Sequence, residues 1–150
     1  EMKKTALILI AAFSMGACQQ IDKKGTPVEK MSKAEIEKAV NDTTNFTTLV
    51  WIDSTTQQLG KLKKDKEIEI TWRFKNTGDK NLIIENVTAS CGCTIPEKPE
   101  QPFAPGQEGL IKAKFNGSGM GTITKQVHVL ANTKPSKEHT LSFIGEVSDK

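Results

Sequence analysis

The chain has 150 residues, with 21 Lys or Arg against 18 Asp or Glu and a formal charge of +3. That length fits one domain with one modest core. The lysines are spread among acids without a basic block, and aromatics are 5% of the chain with no Tyr, which argues against nucleic acid, a carbohydrate platform or a base-stacking surface as the partner.

In chain order the first element is a leader. Lys3 and Lys4 precede an apolar run at residues 6–13, and Gly16 and Ala17 are small residues just before Cys18. Basic head, apolar run and small-residue site are the three parts of a secretory signal peptide. The run is well short of the ~20 residues a bilayer span needs. Ser14-Met15-Gly16-Ala17-Cys18 looks like a lipobox, with Met15 where Leu is preferred. In such a motif Cys18 receives the lipid and becomes the mature N-terminus. The expected division is therefore a signal peptide at 1–17, a tether with a short helix at 18–45, and a folded domain at 46–150. Loss of Glu1, Lys3 and Lys4 with the leader takes the formal charge from +3 to +2. Gln19 and Gln20 follow the cysteine, with no Asp at the second position. By resemblance to bacterial sorting rules, the expectation is a cell-envelope lipoprotein in the outer membrane, facing the periplasm. It would touch the membrane through its N-terminal lipid.

Residues 19–30 are polar, with Gly25, Pro27 and several lysines, and read as a tether. Ser32-Lys33-Ala34-Glu35 matches a capping box and predicts a short helix over about residues 33–40. So short a helix is marginal in water unless it docks. From Phe46 onward the apolar period becomes two. An early strand is predicted at residues 48–53, with a continuation near Leu59. Across residues 66–75, Ile68, Ile70, Trp72 and Phe74 alternate with charged or polar residues, the mark of a strand with one wet face. Asn76-Thr77-Gly78-Asp79 supplies turn chemistry. The next strand, residues 81–90, shifts its apolar phase near Glu85 and Asn86, which predicts an irregularity there. Residues 96–106 are rich in proline and predict a loop crossing between sheets. Ile111, Ala113 and Phe115, then Ile123, Val127, Val129 and Ala131, then Leu141, Phe143 and Val147, mark three further strands. About seven short strands separated by turn signals predict an all-β, antiparallel sandwich. No two distant cysteines flank a Trp, so a disulfide across the core is excluded.

Several motifs now stand in one order. They are Phe74-Lys75-Asn76-Thr77-Gly78-Asp79, Leu82-Ile83-Ile84, Ser90-Cys91-Gly92-Cys93-Thr94, Ala104-Pro105-Gly106, Gly121, and Val129-Leu130-Ala131-Asn132-Thr133. The set resembles the bacterial domain of unknown function 1573 family, across roughly residues 47–147. That family is similar to Hydin-type and major-sperm-protein-type sandwiches, so the resemblance implies an Ig-like fold. It implies little about function.

With Cys18 committed to lipid, two cysteines remain, Cys91 and Cys93. At i and i+2 on a strand they would share a face, with Gly92 free to take unusual backbone angles. Four readings follow. The pair can pack as small soft side chains at a strand end. It can close a tight disulfide if the chain bends, because an extended i, i+2 pair lies near the ~7 Å limit between Cα atoms. It can exchange thiol for disulfide, and Lys98 is the cation near in sequence. It can hold a soft metal such as Cu(I), with His128, His139 and Met120 as the obvious further donors. No Ser-His-acid spacing, phosphate-cradling glycine loop or metal-ligand cluster is present in the sequence. The expectation is a non-enzymatic, lipid-anchored module without cofactor or metal, docking to another envelope protein. The rival is a redox or copper-handling lipoprotein that uses Cys91 and Cys93.

Overall fold

The computed structural model describes residues 31–149. The expected leader and lipobox, with Cys18, lie outside them. A helix, α1 (Lys33–Asn41), is followed by a 3-10 turn (Thr43–Asn45) and eight strands. These are β1 (Leu49–Trp51), β2 (Thr56–Lys63), β3 (Ile68–Asn76), β4 (Ile84–Ala89), β5 (Thr94–Glu97), β6 (Glu108–Phe115), β7 (Gly121–Ala131) and β8 (Glu138–Ser148). One sheet has the order β1-β3-β6-β5 and the other β2-β8-β7-β4.

Ser32 caps α1 as its sequence predicts, with Glu35 Oε2 accepting from the Ser32 amide at 2.8 Å. The helix docks through Val40, which is fully buried. The period-two rows form the sandwich interior. Ile70, Trp72 and Phe74 of β3 and Ile111, Ala113 and Phe115 of β6 face Val127 and Val129 of β7 and Leu141 and Phe143 of β8. Among the described residues, the Trp72 indole N–H is the buried side-chain polar group without a partner. Residues between these rows point outward and pair across strands, as in Lys112–Glu69 at 3.5 Å and Lys114–Glu97 at 3.3 Å. The phase shift in β4 is a bulge between Ile84 and Asn86.

Three details differ from the sequence expectation. The second sheet is mixed, because β2 runs parallel to β8. The reason is that β1 and β2 run in one direction and change sheets at residues 52–55. Asp53 clamps that change, accepting the Arg73 amide at 2.8 Å and its Nη2 at 2.7 Å. The guanidinium hydrogen bonds hold the Asp53 carboxyl below its ordinary value. Next, Pro96 lies inside β5, opposite Ala113. Proline is tolerated there because β5 is an edge strand and needs no donor on its outer side. Lastly, residues 98–107 return within one sheet. The chain crosses between the sheets at residues 90–93 instead, which are the Ser-Cys-Gly-Cys turn.

The registers sort the loops into two ends. One end gathers residues 41–48, 77–83, 98–107 and 132–137, and two buried asparagines stitch it. Asn132 accepts the Ile83 amide at 2.7 Å and donates to the carbonyls of Asn45 at 2.8 Å and Asn81 at 2.9 Å. Asn76 donates to the carbonyls of Lys80 and Phe103, both at 2.8 Å, and accepts from Thr47 Oγ1 at 2.9 Å. The other end carries residues 64–67, 90–93 and 116–120. It lies eight residues along β3, or about 26 Å, from the first.

Asn132→Ala would leave the buried Ile83 amide and the carbonyls of Asn45 and Asn81 without their side-chain partner. We expect a stability loss on the order of 3–5 kcal/mol, read as a lower urea midpoint at an unchanged slope. An unaltered midpoint would show that the stitch is dispensable.

Candidate functional site

The Cys91-Gly92-Cys93 segment is a turn and not an extended strand. It starts where β4 leaves the second sheet and ends where β5 joins the first. The Ser90 amide donates to the Gln126 carbonyl at 3.0 Å, the Thr94 amide to the Cys91 carbonyl at 3.3 Å, and the Asn116 amide to the Cys93 carbonyl at 3.1 Å. The turn brings the two cysteine Cα atoms to 5.3 Å, and their sulfurs are joined as a disulfide. That separation falls well within ordinary disulfide reach, whereas a straight i, i+2 pair would lie near its limit. Both cysteines are half-buried, and Cys93 packs against the core.

Gly92 departs from expectation. Its φ is outside the left-handed region, and a Cβ built there would meet nothing within 4 Å. Gly117, on the neighbouring loop, is the opposite case. Its φ is +79°, and a Cβ would come within 2.6 Å of the Lys66 amide nitrogen. The fold therefore requires glycine at 117 but not at 92.

Two neighbours of the pair have no role in the sequence expectation. Thr94 is buried, with its hydroxyl 3.8 Å from the Cys91 sulfur and 4.0 Å from the Cys93 sulfur. Lys125 pairs with the buried Phe143 across β7 and β8, so its side chain starts on the inner face. The pairing Ala89↔Val127 runs on through Ser90 and Gln126, and Lys125 and Cys91 each follow one residue beyond it, where the chain turns away from β7. The readable signal was a lysine in phase with Ile123 and Val127. Lys98, the cation near in sequence, lies past the far end of β5, about 13 Å of strand from Thr94.

The other candidate donors scatter. His128 is on the outer face of β7, with Thr140 Oγ1 3.4 Å from its Nδ1. Met120 is on the 116–120 loop and 58% exposed. His139 is near the stitched end, edge-on to Trp51 with ring centroids 6.0 Å apart. No group of three His, Cys, Asp or Glu among the described residues could hold a metal ion.

Thr133 Oγ1 donates to the Ser136 carbonyl at 2.6 Å, so its 2.7 Å contact with His139 assigns the ring proton to Nε2. Burial holds this imidazole below its ordinary value. Below that value the unfolded chain takes up a proton that the fold resists, so stability is full above it and falls as pH drops through it. Lowering the pH from about 7.5 to about 5.5 should therefore lower the urea midpoint more in the native chain than in His139→Gln. Equal slopes in the two would remove His139 from the pH response. For the turn, Gly92→Ala should alter stability by less than about 0.5 kcal/mol, whereas Gly117→Ala should cost about 1–3 kcal/mol. Thermal unfolding of the two variants compares them directly.

The fold has counterparts. A protein of unknown function from Porphyromonas gingivalis W83 superposes with a TM-score of 0.60 at 14% identity, over 70% of this chain and 49% of that one. The chain thus spans about half the length of that protein. The ASH / PapD-like domain 7 of human CEP192 gives a TM-score of 0.55 at 11% identity, over 71% and 89%. The Vibrio cholerae VesB protease gives 0.53 at 10%, over 74% and 35%. At such identities the likeness is one of fold. No curated protein matches the chain. The family model described as "Protein of unknown function (DUF1573)" matches residues 50–147, β2 to β8 with the end of β1, and the chain belongs to that family.

Proposed function

We propose that this chain is a lipid-anchored Ig-like module of the bacterial envelope, held in the outer membrane through Cys18, that works by engaging a protein partner and not by turnover. The observation that carries the reading is where the chain enters the sandwich. The segment that follows Cys18 leads into α1, whose Val40 is buried, and Asn45 is then hydrogen-bonded to Asn132. This favours an anchor at Cys18 that is tied to the sandwich through the stitched end. The opposite end, with the 64–67, 90–93 and 116–120 loops, is the one left for a partner. Loops positioned by a rigid scaffold are the usual place for recognition. The polar side chains at the stitched end support the same division, since Asn76, Asn132 and Thr47 are occupied in holding loops together.

The full chain expressed in a bacterial host should incorporate an alkyne-tagged fatty acid and sediment with membranes. Cys18→Ser should lose both the label and the sedimentation. Photo-crosslinking residues at Ser118 and at Lys80 then probe the two ends, and protein adducts are expected from Ser118. A labelled Cys18→Ser variant would end the anchoring proposal, and adducts confined to Lys80 would end the choice of surface.

A further inference from the structure

The 90–93 turn is held by its backbone as well as by its sulfurs. Three backbone hydrogen bonds fix it, from Ser90, Thr94 and Asn116. The disulfide itself closes a loop between residues only two apart. So small a loop removes little entropy from the unfolded chain, which makes the bond a poor staple. Gly92 adds a second clue. The fold does not need glycine there, and the space over its Cα is open. A bare backbone beside the bond leaves room for an incoming molecule. The surroundings add a third. A buried hydroxyl stands within 4.0 Å of both sulfurs, and an inward lysine, Lys125, lies on β7 one residue beyond the Ser90–Gln126 pairing from which the turn departs. A hydrogen-bond donor and a cation are the groups that stabilise a thiolate. The remaining charges on the loops of this end are Lys64, Asp65, Lys66 and Glu67, and Lys64 is paired with Asp149 at 3.7 Å.

We propose that Cys91 and Cys93 form a reversible thiol–disulfide exchange site for cysteine pairs of other proteins, with Cys91 as the attacking thiolate and Thr94 and Lys125 as the residues that stabilise it. In the reduced chain the Cys91 thiolate attacks one sulfur of a partner's disulfide. That S–S bond breaks, one partner sulfur leaves as a thiolate, and a mixed disulfide joins the partner to Cys91. Cys93 gives its proton to water and attacks the Cys91 sulfur. The mixed bond breaks, the second partner thiolate leaves, and the Cys91–Cys93 bond forms. Two electrons pass to the partner, whose two thiolates take up protons from water in place of those the chain released. The reverse sequence begins with a partner dithiol attacking the bond present in this structure, and it oxidises that partner. The site does not depend on the anchoring or on a stable complex.

The test uses the full chain carrying Cys18→Ser, in which Cys91 and Cys93 are the only cysteines. It is equilibrated with reduced and oxidised glutathione, acid-trapped, alkylated and weighed as an intact protein. The pair should pass between disulfide and dithiol under native conditions, with the same circular dichroism in both states. The Cys93→Ser variant should trap a mixed disulfide with an oxidised synthetic peptide that carries two cysteines. Lys125→Gln should move the pH of half-maximal alkylation up by about one unit. Its exchange at neutral pH should slow by about threefold, because a smaller thiolate fraction is partly offset by a stronger nucleophile. Lys125→Arg should restore both readings, which a merely structural lysine would not predict. Three results would each overturn the proposal: a pair inert to glutathione until the chain unfolds, a dithiol form that does not fold, or an alkylation profile indifferent to Lys125→Gln.

Discussion

Asn132 and Asn76 each carry a whole amide into a place that water does not reach, and the architecture at that end follows from satisfying them. A buried amide left without partners is costly, and so is a buried loop carbonyl. Here the two problems solve each other. Four loops that share no regular ladder meet at this end, and the carbonyls of three of them, at Asn45, Lys80, Asn81 and Phe103, are the acceptors the two amides need. Thr47 ties the pair together, giving its hydroxyl to Asn76 and its amide to the Asn132 carbonyl. Without this exchange the β3–β4 and β5–β6 connections would have to stay in solvent, and Leu82 could not reach its fully buried position.

This stitch explains why much of the motif set is structural. Asn76 opens the Asn-Thr-Gly-Asp turn, Asn132 sits in the Ala-Asn-Thr segment, and Gly106 donates its amide to the Asn76 carbonyl at 2.8 Å. These residues, far apart in sequence, serve one hydrogen-bond network. The Cys-Gly-Cys motif is different in kind. It lies at the other end, its backbone is already hydrogen-bonded, and its glycine answers no steric demand.

The strands were legible because burial on one face imposes a period of two, and Ile68 to Phe74 show it without interruption. The helix was legible because Ser32 and Glu35 form a local, reciprocal cap. What failed to read through was whatever depended on partners distant in sequence. The direction of β2 is set by β8, some eighty residues later, and by the Asp53–Arg73 clamp. Pro96 reads as a loop breaker until β5 is known to be an edge. At the candidate site the cysteines were visible as a pair, but their geometry was not. Strand spacing put them on one face of an extended segment, whereas the sheet-to-sheet crossing bends them into a turn. Lys98 is the cation near in sequence, whereas Lys125 comes to the same end of the sandwich through the pairing of β7 with β4 and β8, which no single strand reveals.

The crossing also accounts for the half-buried setting of the pair. A chain that leaves one sheet for the other passes the open side of the sandwich, where the inner faces of both sheets are closest to solvent. Residues there can rest against the core, as Cys93 does, while their neighbours stay exposed, as Gly92 does. The same opening gives Lys125 a route outward. A lysine starting on an inner face can lay its methylenes along apolar surface and bring its ammonium to the rim. At the middle of β7 that route would be closed by β4 on one side and β8 on the other. It exists at 125 because β4 ends at Ala89 and the chain turns away at the cysteines. The position that tolerates an inward lysine is thus created by the turn that carries the disulfide.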